Sequence, residues 1–141
     1  MMLKKLSLDT VKDIVKDDPV RPHIKADWRV LPGREVYGLY DENKIRSVIC
    51  VAYTDEVPTC ERDLGWVGTD IAVFYTVWSY NQGAGRDIVF SVANHINEFN
   101  PYVKRYVTLS PLTEMAEKFH LRNGAKFVKK HFDCQNFEYE V

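Results

Sequence analysis

IAVFYTVWSYNQGAGRDIVFSVANHINEF, residues Ile71 to Phe99, is the stretch whose reading decides the fold. Its first part, Ile71 to Trp78, has the near-continuous hydrophobicity of a central strand covered on both faces. Asn81-Gln82-Gly83-Ala84-Gly85-Arg86 comes next, and glycines at 83 and 85 let the backbone turn tightly. Ile88, Val89, Val92, Ile96 and Phe99 then recur at helical spacing and form one apolar stripe. The first turn of such a helix presents unpaired N–H groups and the positive end of its dipole, where a phosphate fits. The stretch therefore predicts strand, tight turn and helix, with a phosphate-bearing ligand at the turn.

Two common phosphate motifs fail by spacing. A dinucleotide fingerprint G-x-G-x-x-G needs a glycine where Ile88 stands, and a P-loop needs Gly-Lys-Ser/Thr where Gly85-Arg86-Asp87 stands. What remains is a G-x-G turn, with a ligand-free turn as the competing reading.

The surrounding chain suits one soluble globular domain over residues 1–141, with 45% hydrophobic and 28% charged residues. Its 19 basic and 20 acidic side chains leave no global field for nucleic acid or an anionic membrane surface, so neither is an expected partner. Cys50, Cys60 and Cys134 are odd in number and not at metal-ligand spacing, and no metal is expected, since His23, His95, His120 and His131 are scattered. The cysteine usage suits a reducing, cytoplasmic compartment.

Working outward, Leu3 to Leu6 reads as a short strand, followed by a helix capped by Ser7 or Asp9 and carrying Val11, Ile14 and Val15. A second short helix is expected over Pro22 to Trp28. Arg34 to Tyr40 and Ile45 to Tyr53 form a hairpin around Asp41-Glu42-Asn43-Lys44. Glu56 to Gly68 is a loop. After Asn100-Pro101, Val103 to Leu109 is another strand. Ser110 is then the expected N-cap of a helix with Pro111 in its first position and Leu112, Met115, Ala116 and Phe119 buried. Gly124 stops it, and strands near Lys126–Phe132 and Asn136–Val141 end the chain. The fold class is α/β, a mixed sheet.

This order, with the glycine turn after the fourth strand, resembles the Gcn5-related N-acetyltransferase (GNAT) superfamily. The family's Gln/Arg-x-x-Gly-x-Gly/Ala is matched at Gly83 and Gly85, with Tyr80 in the first position and Val77 where a proline is usual. A second block, Asn-x-x-Ala-x-x-x-Tyr-x-x-x-Gly-Phe/Ala, is matched at Ala116, Gly124 and Ala125, with Thr113 and His120 departing. The chain also resembles, more loosely, acetyltransferase-like proteins of bacteriophages.

The resemblance implies a central, mostly antiparallel sheet of about six to seven strands, flanked by helices. It also implies a splayed parallel strand pair that binds coenzyme A. It further implies an acetyl-CoA-dependent N-acetyltransferase working by direct transfer in a ternary complex. The alternative is a catalytically silent module of the same fold. On the family pattern, the N–H groups of Gln82, Gly83, Ala84, Gly85 and Arg86, beside Asn81, would cradle the pyrophosphate. Backbone of the fourth strand, around Val73, Phe74, Tyr75 and Val77, would pair with the pantetheine arm. Thr113 and Phe119 stand at positions near the cofactor.

The family's proton-donating Tyr is replaced by His120, an imidazole able to act as an acid, with simple packing beside Phe119 as the competing role. The strand Ile71–Trp78 carries no carboxylate, which leaves Asp70 as base, with Glu61 or Asp63 in the loop. The acceptor would be a small-molecule or peptide amine, and a homodimer is an open expectation. Trp28, Trp66 and Trp78 are candidates to line the acceptor cleft.

Overall fold

The structure, a computed structural model, describes all residues 1–141. Strand β1 (Met2–Lys5) leads into helix α1 (Leu8–Ile14), where the Ser7 side chain accepts from the Thr10 N–H and caps the first turn. Helix α2 is a single turn, Ala26–Arg29, where a longer helix from Pro22 is expected. The reason lies in Asp18. Its Oδ1 accepts from the Val20 and Arg21 N–H groups at 2.8 and 2.9 Å and fixes that segment as a turn.

Strands β2 (Arg34–Asp41) and β3 (Lys44–Thr54) form the hairpin, with Glu42 at φ 58° in its turn. The loop that follows holds a 3-10 turn at Glu61–Gly65. Strand β4 (Ile71–Ser79) and helix α3 (Ala84–Phe99) confirm the strand–turn–helix reading of the central stretch. Strands β5 (Arg105–Thr108) and β6 (Ser110–Pro111), helix α4 (Glu114–Arg122), and strands β7 (Lys126–Lys130) and β8 (Cys134–Tyr139) complete the chain.

The sheet runs β1-β2-β3-β4-β5-β8-β6, with β7 paired to β8, and β4–β5 is its parallel pair. It has eight strands rather than six or seven because Ser110 and Pro111 pair with Gln135 and Cys134. That pairing also displaces the expected start of α4. Ser110 Oγ donates to Thr108 Oγ1 instead of capping, and Thr113 caps the helix by accepting from the Ala116 N–H. The expected burial is not met: Met115 is 82% exposed and Leu112, ahead of the helix, 39%, while His120 is buried.

Both sheet faces are covered. On one, Ile88, Val92 and Ile96 of α3 pack against Tyr37, Ile49 and Phe74. On the other, Val11, Ala26 and Leu64 pack against Val48, Cys50 and Tyr75. Two-sided burial explains why β3 and β4 read as continuous apolar runs. No helix is long and apolar enough to cross a membrane.

Candidate functional site

The site begins where β4 leaves β5. The two pair in parallel from Ile71↔Arg105 to Phe74↔Thr108, the Leu109 N–H reaches the Phe74 carbonyl at 3.1 Å, and no pairing follows. On its other edge β4 stays paired to β3 as far as Ser79. The register slips by one residue at Cys50/Val51, so Tyr75 stands as a bulge opposite no partner. A V-shaped opening results, one side of which is β4 backbone.

The Tyr80 N–H bonds the Arg46 carbonyl at 2.8 Å. By the alternation of an antiparallel ladder, Thr76 and Trp78 then face β3 with their peptide groups, and Val77 and Ser79 face the opening. Val77 therefore stands where an added strand could pair. Val73 and Phe74 do not: they sit inside the β4–β5 pair, where their backbone is already committed. The Tyr75 carbonyl is also occupied, by the Arg21 guanidinium.

The turn at the mouth of the V takes the conformation its glycines allow. Gly83 is the N-cap of α3 at φ 83°, with open space where a Cβ would project. Gly85 allows a close approach instead: a Cβ there would lie 3.3 Å from the Phe119 ring. The first helical bond runs from the Asp87 N–H to the Gly83 carbonyl, and the Ala84 N–H bonds the Asn81 carbonyl. Ala84 is thus removed from the expected set of donors. The N–H groups of Gln82, Gly83, Gly85 and Arg86 have no backbone acceptor, and the Cβ position of Gly83 opens on free space.

Tyr80, the departure from the family pattern, braces this turn. Its hydroxyl donates to Asp17 at 2.7 Å and accepts from Trp78 Nε1 at 3.0 Å. Arg46 holds Asn81 Oδ1 at 3.0 Å and brings a positive charge to the turn that the sequence reading missed. Arg86 lies over the Phe90 ring, 5.5 Å from its centre.

His120 points inward. Its Nδ1 is 2.7 Å from the Tyr139 hydroxyl and its ring stacks on Phe137. Burial pushes its pKa down to about 4, so the imidazole is neutral at ordinary pH. Thr113 serves as the cap of α4. Asp70 precedes β4, at the end where β4 and β5 are paired, roughly 13 Å from the parting at ~3.3 Å per residue. Its carboxylate faces Lys104 at 3.8 Å.

On the opposite face, residues far apart in sequence meet beside the Tyr75 bulge. Buried Arg21 donates from Nε to Glu61 Oε1 at 3.2 Å, and His23 Nε2 lies 2.8 Å from Glu61 Oε2. His23, Glu61 and Trp28 line a cavity of 630 Å³ between α2 and the 3-10 turn. Trp78 is core, and Trp66 is exposed beside a second cavity of 450 Å³. Asp18 anchors the whole segment. It accepts from Thr76 Oγ1 at 2.9 Å and Arg29 Nη1 at 2.7 Å, with both charged side chains fully buried. Nothing in the local sequence signals this meeting, because the partners are 38 to 40 residues apart.

No protein-family model matches the chain, and no curated protein does. Solved structures do match in shape. A malonyl-CoA decarboxylase from Agrobacterium vitis superposes with a TM-score of 0.82 at 15% identity, covering 99% of this chain and 60% of that one. The chain thus spans about three fifths of that protein's length. Arabidopsis thaliana NAA60 in complex with acetyl-CoA gives a TM-score of 0.70 at 11% identity, covering 98% and 97% of the two chains. A GNAT family acetyltransferase from Elizabethkingia anophelis with acetyl-CoA bound gives 0.62 at 13%, covering 97% and 94%. At such identities the likeness is one of architecture, and the two-faced sheet, the parted parallel pair and the glycine turn agree with it: this chain has the fold of the GNAT acetyltransferases.

Proposed function

We propose that the protein is an acetyl-CoA-dependent N-acetyltransferase that passes the acetyl group directly to an amine held in the same complex. The observation that carries this reading is the parting of β4 from β5 after Phe74, with free N–H groups at the mouth of the opening. The residues present fit the cofactor. Gln82, Gly83, Gly85 and Arg86 offer N–H donors to the pyrophosphate, and Arg46 adds a cation. The peptide groups of Val77 and Ser79 offer an edge for the amide-bearing arm. Bound in this way, acetyl-CoA would supply an activated acetyl thioester.

On the acceptor side, Glu61 takes the proton of the incoming ammonium and His23 holds the carboxylate in place. Arg21 fixes the bulge through the Tyr75 carbonyl and keeps Glu61 turned toward it. Neither Asp70 nor His120 has a part in this scheme. Neighbours crystallised with acetyl-CoA support the cofactor assignment by their architecture.

A silent CoA-binding module is the second reading. It is favoured by the neutral, inward-turned His120 and by the absence of any carboxylate along Ile71–Ser79. Thiol release from acetyl-CoA across a panel of amines separates the two. Turnover that falls at least tenfold in Glu61→Gln while coenzyme A still binds supports the enzyme; binding without turnover toward any amine supports the silent module.

A further inference from the structure

The hairpin of β7 and β8 ends in a bare tip. Phe132 stands there between His131 and Asp133 and is 98% exposed. A phenylalanine held in water by its own backbone forgoes the burial its ring would gain elsewhere.

The tip is set in a local positive field. From Lys118 to Phe132 the chain carries five basic side chains and no acidic one, against a net charge of −1 for the whole. Lys118 and Lys126 face Glu114 and Glu140 at 2.7 and 3.2 Å, but Arg122, Lys129 and Lys130 have no carboxylate partner. Lys129 stands opposite Asn136 and Lys130 opposite Gln135, so their side chains leave the strand on opposite faces and straddle it behind Phe132. Asp133 is the one acid at the tip.

Strand β7 also ends the sheet. It pairs with β8 alone, and all five of its residues are exposed, Phe127 and Val128 among them. An open edge invites an added strand, but this one is blunted twice: its register slips between Phe127 and Lys129, and three lysines stand along it. Those lysines also set like charge against like in any pairing of two copies. What the hairpin offers is a projecting apolar tip flanked by free cations. A flat surface that is anionic outside and apolar beneath complements it.

We infer that the β7–β8 hairpin docks on an anionic lipid bilayer, with Phe132 entering between headgroups and acyl chains and Lys129 and Lys130 among the headgroups. Aromatic rings favour that depth, and each basic side chain near a negatively charged leaflet adds to the attraction. One ring and a few cations give reversible contact with the surface. Strand β8 begins opposite β6, at the end of the sheet where β4 and β5 part, so docking turns that end toward the bilayer. The inference rests on neither acetyl-CoA nor an acceptor amine.

The test is co-sedimentation of the full chain with vesicles of pure phosphatidylserine and of pure phosphatidylcholine. Binding to phosphatidylserine is expected to be at least about tenfold tighter and to weaken as salt is added. Lys129→Gln combined with Lys130→Gln is expected to remove most of that preference. Phe132→Ser is expected to weaken binding several-fold while leaving the preference in place. All three positions are exposed, so the variants should keep the wild-type thermal midpoint. In Phe132→Trp, tryptophan emission on phosphatidylserine vesicles should shift to the blue by more than it does in the wild type. Equal binding to the two vesicles, binding to neither, binding indifferent to the lysine pair and to Phe132, or an unshifted Phe132→Trp emission overturns the inference. So does an oligothymidylate that binds the wild type more tightly than phosphatidylserine does, because the lysines then serve a nucleic acid.

Discussion

Gly85 faces Phe119 so closely that a methyl group would lie 3.3 Å from the ring. Gly85→Ala is therefore expected to press the Phe119 ring back by a few tenths of an ångström and set a methyl group into the first turn of α3 beside the donor cradle. Affinity for coenzyme A should fall about tenfold, roughly 1.4 kcal/mol by calorimetry, with little change in thermal midpoint. His120 makes a different prediction. Burial holds its pKa at about 4 against an ordinary 6.5. Between those values the unfolded chain binds a proton that the folded chain refuses. The associated stability is complete above pH 6.5 and is lost as the pH falls toward 4, amounting to roughly 3 kcal/mol. Urea midpoints measured across that window should show the loss in the wild type and a flatter profile in His120→Gln. Turnover at neutral pH should be unchanged in His120→Phe. The two glycines were legible because positive φ and close approach demand that residue type. Arg21, His23 and Glu61 were not, since only the folded sheet brings them together.

At the scale of elements, the turn between β4 and α3 is braced from several sides: by Tyr80 on Asp17, by Arg46 on Asn81 and by Phe119 on Gly85. Tyr80→Phe removes the hydroxyl from both Asp17 and Trp78. It should cost about 1 kcal/mol of stability and weaken coenzyme A binding several-fold, read by urea titration and calorimetry on one preparation. Strand β4 and helix α3 were legible because hydrophobic period and glycine punctuation agreed. Helix α4 was misplaced at its start because two local signals competed. Ser110-Pro111 is a good cap sequence, but its pairing with Gln135 and Cys134 prevails, and Thr113 caps instead. Sheet pairing between residues about 24 apart is invisible to a local reading, and the burial of Met115 was misjudged for the same reason.

For the whole molecule, Asp18 is the joint between the α1–α2 segment and the sheet. It binds the Val20 and Arg21 N–H groups, Thr76 and Arg29 at once, and it is 2% exposed. Burial works against its charge, but the Arg21 N–H and the Arg29 guanidinium outweigh that and hold its pKa below the ordinary value. Asp18→Asn strands the fully buried Arg29 and should destabilise the fold by roughly 3–5 kcal/mol, seen as a large drop in thermal midpoint. The two-faced sheet was legible from composition and periodicity; this joint was not, because a lone Asp before Pro19 reads only as a helix stop. The fold places an open β4 edge beyond the Tyr75 bulge and a donor-rich turn at the mouth of the opening. Titration of the protein with acetyl-CoA, with ATP as the control, tests that arrangement most directly. One-to-one binding of acetyl-CoA that weakens about tenfold in Gly85→Ala, with no heat from ATP, is the expected result. No acetyl-CoA binding, or equal affinity in wild type and Gly85→Ala, would contradict the cofactor site.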